Sequence, residues 1–308
     1  MSRIHEALKK AEEERAGAQH GGYGETLTVP VPSKAPSIET VTFNDSPTQH
    51  PTASFSSALT FDSLLARTTQ GKWSPDPKTM LFFDEDEQAF GTEEFRTLRS
   101  RLYQMRERQS LKKLMVCSAL PKEGKSFVSA NLAQAMVRQV GRKALLIDAD
   151  LRASQLHRTL GTSATPGLAE YLLGEIDEFG VMQRGPMENL FFVPAGRMVS
   201  NPGELLANGR LKFLLSRVEA LFDWIIIDSP PALPISDASL LANYCDGVVM
   251  VVRSNATPFD LARKARKEFK DTALVGVVLN GVHGGSAYSQ YYYAAYGNGA
   301  TNGAGSKS

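Results

Sequence analysis

At 308 residues, 42% of them hydrophobic, and with a formal net charge of +1, the chain is long enough for one large domain or two small ones and carries no global bias toward nucleic acid or an acidic substrate. Its two cysteines, Cys117 and Cys245, are far apart, which excludes a disulfide framework and a cysteine metal spacing and points to a reducing compartment. No apolar run reaches the roughly 18 residues of a membrane span, and the opening MSRIHEALKKAEEERAG is too charged for a secretory signal, so a cytoplasmic protein is expected.

Residues 1–16 read as a short amphipathic helix, with Ile4, Ala7, Leu8 and Ala11 at i, i+3, i+4 and i+7. Roughly 12–15 residues are needed for a stable lone helix even from good formers, so the segment reads either as a frayed, solvated helix or as a docking peptide. Residues 17–77 hold seven of the sixteen prolines among Gly, Ser and Thr, and their apolar residues follow no period; a disordered linker is expected. Within it, Phe55, Leu59, Phe61, Leu64 and Leu65 suggest at most one transient helical turn.

From 78 to 285 the pattern changes. The runs KLMVCSA, ALLIDAD, LFFVPAG, WIIIDSP, GVVMVV and LVGVVLN are nearly uniformly apolar, as in strands buried on both faces. Helical stretches between them predict an α/β domain with a mainly parallel sheet covered by helices on both faces. Ligands of such sheets sit beyond the carboxyl ends of the strands, and three of these runs end in chemistry.

The first runs into ALPKEGKS, residues 119–126. A P-loop requires Gly, four residues, then Gly-Lys-Ser/Thr; the match holds from Gly124 onward, with Ala119 in place of the first glycine. The stretch Pro121, Lys122, Glu123, Gly124, Lys125, Ser126 and Phe127 is expected to wrap the phosphates of ATP with backbone N–H groups. Lys125 would reach the β/γ oxygens and the Ser126 hydroxyl would ligate Mg²⁺. The second run ends in LLIDADLR, where Asp148 and Asp150, two apart at a strand end, face one side and suit a metal ligand and a proton acceptor. The third ends in IIIDSPP and places Asp228 where a Walker B carboxylate supports Mg²⁺. A helix cap explains one Asp after a strand, but not three behind a phosphate loop. Ordinary capping or packing explains Asp237 and His157, and Asn280, after the last strand, is a candidate adenine contact by position alone.

The segment SAYSQYYYAAYG, Ser286 to Gly297, gathers five of the nine tyrosines, Tyr288, Tyr291, Tyr292, Tyr293 and Tyr296, with no Leu, Ile or Val between them. Such a strip reads as a flexible tail. Upstream, EEFRTLRSRLYQMRER reads by itself as a solvated helix with i, i+3 and i, i+4 charge pairs.

Together, ALPKEGKS, LLIDADLR and IIIDSPP resemble the bacterial tyrosine kinases, the P-loop autokinases of capsule and exopolysaccharide assembly, over roughly residues 85–297. GLAEYLLGE, NPGELL and GVVLN support the resemblance. It implies an ATP- and Mg²⁺-dependent kinase in which Lys125, Asp148, Asp150 and Asp228 carry the catalysis. Asp148 would be the proton acceptor, and Ser126, Asp150 and Asp228 the metal site. It implies that the five tail tyrosines are the substrate, in the same or a neighbouring copy. Glu93, Arg96 and Arg99 match the family's helix pattern that joins subunits into a ring. The chain is similar to split-type relatives without a fused membrane activator, which implies three things: a separate membrane-embedded co-polymerase-type activator, recruitment to the inner face of the membrane, and an opposing tyrosine phosphatase. No nucleic acid is implied. Two departures are Ala119 and the absence of a proline after the arginine in LRASQLH. The division-site and partition ATPases carry a lysine directly after the first loop glycine; here that residue is Leu120, and Lys122 lies two positions on. A positioning ATPase without kinase activity, and an interaction protein that uses ATP only to set its assembly state, are the competing readings.

Overall fold

The computed structural model describes residues 59–282, apart from 69, 78, 84–90 and 270–271; the helix expected over 1–16, most of the expected linker, and the tail tyrosines lie outside the described residues. All six apolar runs are strands: β1 (Lys113–Ser118), β2 (Ala144–Asp148), β4 (Leu190–Val193), β5 (Trp224–Asp228), β6 (Gly247–Arg253) and β7 (Leu274–Asn280). A two-residue strand, β3 (Gln183–Arg184), too short to leave a sequence pattern, pairs antiparallel with β4. The sheet order is β3-β4-β2-β5-β1-β6-β7, and every pairing except β3 with β4 is parallel.

The helices, in chain order, are α1 (Phe61–Arg67), α2 (Thr92–Arg106), α3 (Lys125–Val137), α4 (Leu156–Thr159), α5 (Leu168–Leu173), α6 (Glu178–Val181), α7 (Pro202–Ala207), α8 (Arg210–Val218), α9 (Asp237–Ala242) and α10 (Phe259–Lys267). Successive strand residues point to opposite faces, so each strand feeds two cores. One core gathers Met115, Ile147, Ile225 and Met250 under Leu211 of α8 and Ala265 of α10. The other gathers Val116, Leu146, Trp224 and Val251 under α2 and α3. Helix α3 is buried around almost its whole circumference. Its Ala and Ser residues let it lie close to the sheet, and its buried polar side chains must then be satisfied within the fold.

Residues 59–77 are not linker. Thr60 and Ser63 form a reciprocal capping box at the start of α1, a device that stabilises an N-terminus by about 1 kcal/mol. Leu64 is fully buried, and Phe61 meets Phe191 and Phe222 edge to face at 5.6 and 6.1 Å. The chain then rounds the edge of the sheet. Gln70 bridges to Arg184 in parallel, the Gly71 N–H donates to the Arg184 carbonyl at 2.8 Å, and Trp73 packs against Phe192 on the opposite face. Beyond it, Asn131 of α3 grips this strap. Its Oδ1 accepts from the Leu81 N–H and its Nδ2 donates to the Thr79 carbonyl, each at 2.8 Å. The strap touches two cores and an edge in about twenty residues, so its apolar positions obey no single period, and composition alone reads as linker.

Strand β7 departs from expectation in another way. Its sequence is as apolar as the others, but Val277 and Leu279 are 56% and 57% exposed. The strand forms the edge of the sheet, and α10 does not cover it.

If the strap is part of the fold, Leu64→Ala removes a buried side chain and should destabilise the protein by about 2–5 kcal/mol. Urea unfolding measures this; an unchanged midpoint would return residues 59–77 to the linker.

Candidate active site

The site lies where β2, β5 and β1 end side by side. Parallel register aligns Asp148 with Asp228 across β2 and β5, and Val116 with Asp228 across β1 and β5. The phosphate-type loop leaves β1 and turns into α3 at Lys125, passing through Gly124 at φ +98°, a conformation that favours glycine. A Cβ there would also stand 1.9 Å from the Asn280 amide nitrogen.

Lys125 points into the carboxylates. Its Nζ is 3.0 Å from Asp150 Oδ2, 3.6 Å from Asp228 Oδ2 and 3.3 Å from Ser126 Oγ. The Ser126 hydroxyl donates to Asp228 Oδ2 at 2.6 Å, and the Ser129 hydroxyl donates to Asp228 Oδ1 at 3.0 Å. Asp148 is 0% exposed; its two oxygens accept from the Asp150 N–H at 3.2 Å and the Leu156 N–H at 3.3 Å. Asp150 Oδ1 is capped by the N–H groups of Ala153 (2.9 Å) and Arg152 (3.3 Å), which leaves Oδ2 for Lys125.

Burial sets the electrostatics. It pushes the Asp148 carboxyl well above the usual range; Asp228 and Asp150 add to this and Lys125 opposes it. Burial likewise raises Asp228, against Lys125 and the two serine hydroxyls. Burial disfavours the Lys125 charge, but Asp228 and Asp150 outweigh that and hold the ammonium above its ordinary value. Three carboxylates and one lysine leave an excess of negative charge, which a divalent cation would neutralise. Among the described residues, no group of three or more His, Cys, Asp and Glu forms a metal cage by itself. The Ser126 hydroxyl with the Asp228 carboxylate suits Mg²⁺, which takes one or two carboxylates and completes its shell with water and substrate oxygens. A serine hydroxyl that directs its proton at Asp228 keeps its oxygen for such an ion.

The loop is braced from the far side of the sheet. Glu123, 3% exposed, accepts from the Leu120 N–H at 2.8 Å and from the Thr257 hydroxyl. Asn280 Nδ2 donates to the Glu123 carbonyl at 2.9 Å, and Arg253 Nη1 donates to the Lys122 carbonyl at 3.0 Å, where Lys122 itself has φ +66°. Asn280 therefore adjoins the phosphate loop. Pro121 and Lys122 are exposed. The Phe127 ring turns away toward Phe95 at 5.8 Å, leaving only its backbone for a ligand. Cys117 lies buried behind the loop, where burial raises its thiol to about 11, so it is inert.

Sequence reasoning missed Ser129 and the Arg152–Asp237 pair. Ser129 stands one turn beyond Lys125 on α3, but the carboxylate it serves, Asp228, is 99 residues away, and no local spacing links the two. Arg152 grips the buried Asp237 with two hydrogen bonds, Nε at 2.7 Å and Nη2 at 3.2 Å, pinning the turn that carries Asp150. His157 meets Ser154 Oγ at 3.1 Å, a local contact. Glu93, Arg96 and Arg99 all lie on α2. Arg96 pairs with Glu93, while Arg99 Nη1 donates to the Ala135 carbonyl at 2.7 Å within the same chain.

Residues 122–260 match the protein family described as an AAA domain. The chain is 35% identical over 207 residues to the tyrosine-protein kinase YwqD of Bacillus subtilis, covering 67% of this chain and 86% of that protein. It is 30% identical over 207 residues to the tyrosine-protein kinase wzc of Salmonella typhimurium, covering 66% of this chain but only 29% of that longer protein. Among solved structures, it superposes on the kinase domain of the Escherichia coli tyrosine kinase ETK with a TM-score of 0.60 and 32% identity, covering 64% of this chain and 78% of that one.

The raised Asp148 carboxyl yields a stability test. A carboxyl held above its unfolded value favours folding at low pH and loses that contribution as pH rises through the folded value. Asp148→Asn should therefore stabilise the metal-free protein at neutral pH, the gain vanishing as pH falls toward 4. Denaturant unfolding with chelator across pH checks it; a destabilised variant at neutral pH contradicts the reading.

Proposed function

The chain belongs to the bacterial tyrosine-protein kinases, and from that premise we propose that it transfers the γ-phosphoryl group of ATP to the tyrosines of its own C-terminal tail, in the same or an adjacent copy. The observation that carries this reading is Lys125 seated between Asp150 and Asp228 at the start of α3, with the Ser126 hydroxyl on Asp228.

In this reading the backbone of residues 121–127 receives the phosphates and Lys125 moves from the carboxylates to the β/γ oxygens. Ser126 and Asp228, with Asp150 beside them, would hold Mg²⁺, which when bound neutralises charge on those oxygens. Phosphoryl transfer of this kind is mostly positioning and charge stabilisation. A phenol of pKa about 10 is protonated at neutral pH and needs an acceptor for its proton. Asp148 is suited to that, because burial lifts its basicity. Since Asp148 is 0% exposed and capped by the Asp150 and Leu156 N–H groups, the turn between them must shift to admit a phenolic oxygen.

Each phosphate added to Tyr288, Tyr291, Tyr292, Tyr293 or Tyr296 brings about −1.5 to −2 charge. A modified tail is therefore repelled by a site already rich in carboxylate. Glu93, Arg96 and Arg99 on α2 are proposed as the contact to the next subunit of a homo-oligomer. In the state described, Arg99 is engaged with Ala135, so an interface would draw it off α3. The setting is capsule or exopolysaccharide assembly, with a membrane-embedded activator and a phosphatase as partners. No helix of the described residues is long and apolar enough to cross a membrane.

Incubation with Mg-ATP, with and without a membrane activator, should place phosphate on Tyr288–Tyr296 by mass spectrometry, and Lys125→Met should reduce it by at least about a hundredfold. Phosphate confined to Ser or Thr would overturn the tyrosine reading, and full ATP hydrolysis with an unmodified tail would favour a positioning ATPase instead. Asp237→Asn should free Arg152 and the Asp150 turn and slow transfer about tenfold; unchanged kinetics would show that the pair positions nothing.

A further inference from the structure

The edge of the sheet formed by β7, with α10 beside it, is built unlike the rest of the surface. Register places the two exposed apolar residues of β7 on a definite face. Val277 aligns with Met250 and Leu279 with Val252. Met250 and Val252 belong to the core that also contains Ala262 and Ala265 of α10. Val277 and Leu279 therefore lie on the face carrying α10, at the edge the helix leaves bare. Val282, 47% exposed, lies just beyond the end of β7, and Phe259, 78% exposed, opens α10. The turn that leads from β6 toward α10 is tied to the end of β7, since the Ser254 N–H donates to the Asn280 carbonyl at 2.8 Å.

The outer side of α10 is basic. Arg263, Lys264, Arg266 and Lys267 are all exposed, against the acids Asp260 and Glu268 on or just after the helix. Arg263 pairs with Asp260 at 3.1 Å and lies over the Phe259 ring at 6.0 Å. The inner side, through Ala262, Ala265 and the following Phe269, is committed to the protein's own core, so the helix is not free to leave the sheet and insert. The result is a fixed basic face beside a short apolar strip.

We propose that this face lies directly against an anionic lipid surface. The helix supplies the charge that attracts acidic headgroups, each base near such a surface strengthening binding several-fold. Phe259, Val277, Leu279 and Val282 supply the apolar contact at the level of the headgroups. Acidic headgroups match the basic side chains, and the shallow apolar layer beneath them matches the four apolar ones, so one occupant uses both. The proposal stands apart from the kinase reading, because binding needs neither nucleotide nor phosphate transfer.

The test is sedimentation of the full chain with vesicles of phosphatidylglycerol and phosphatidylcholine, against phosphatidylcholine alone, without nucleotide. Binding should require phosphatidylglycerol and weaken with salt. The double variant Lys264→Glu, Lys267→Glu should lower the partition coefficient by at least about tenfold, and Phe259→Ser with Leu279→Ser should weaken it while leaving the far-ultraviolet dichroism unchanged. Three results would each overturn the proposal. The first is equal or absent binding to both vesicles, as expected if residues after Val282 or a second copy cover the strip. The second is wild-type binding by the charge-reversed variant, which would assign the lipid contact to another segment such as residues 1–16. The third is a concentration-dependent oligomer lost in Leu279→Ser, which would seat a second copy there.

Discussion

A buried lysine surrounded by three carboxylates organises the functional end of this protein. Removing two or three charged groups from water is expensive, and each is tolerated only because the others are there. Here the cation is outnumbered. Lys125 pairs directly with Asp150 and Asp228, while Asp148 is relieved by two backbone N–H groups and by the charge of Lys125, and burial still pushes its carboxyl toward the neutral form. The state described is therefore a standing demand for positive charge. A protein optimised for stability alone would not keep it. The geometry of β2, β5 and β1 forces the clustering, because parallel register sets Asp148 and Asp228 at the same height.

Legibility in the sequence followed the length scale of each signal. The six apolar runs marked six strands because β1, β2, β4 and β5, and most of β6, are buried on both faces, where polarity is excluded at every position. The phosphate loop was legible because glycine, lysine and serine there answer a local geometric need. Ser129 was hidden because its role depends on Asp228, 99 residues away, and no local pattern carries that distance. The Arg152–Asp237 pair was hidden for the same reason. The strap over residues 59–77 reads as linker because its proline and serine content outweighs its few apolar residues, although Phe61 and Leu64 enter one core and Trp73 the other. For β7 the sequence carried the right element and the wrong environment, since burial depends on which strand ends the sheet.

The bracing of the phosphate loop shows how distant parts of the chain share one task. Glu123 turns a carboxylate inward, where it would oppose phosphate, and spends it on the Leu120 N–H and the Thr257 hydroxyl. Asn280 and Arg253, from the ends of β7 and β6, take the carbonyls of Glu123 and Lys122. With these carbonyls engaged by Asn280 and Arg253, the loop's N–H groups are the polarity an anion needs.

Asn131 stands one and a half turns into the helix that begins with Lys125, and it also holds Thr79 and Leu81, the latter 50 residues earlier in the chain. Its amide is satisfied only while both are in place. Peeling residues 79–82 away would strand a polar group in a dry interior, at a cost of about 1–3 kcal/mol. Amide hydrogens of the strap and of the first turns of α3 should therefore exchange with deuterium at matched rates. The helix that begins with Lys125 and a stretch of chain some 50 residues upstream are thus tied to open as one cooperative unit.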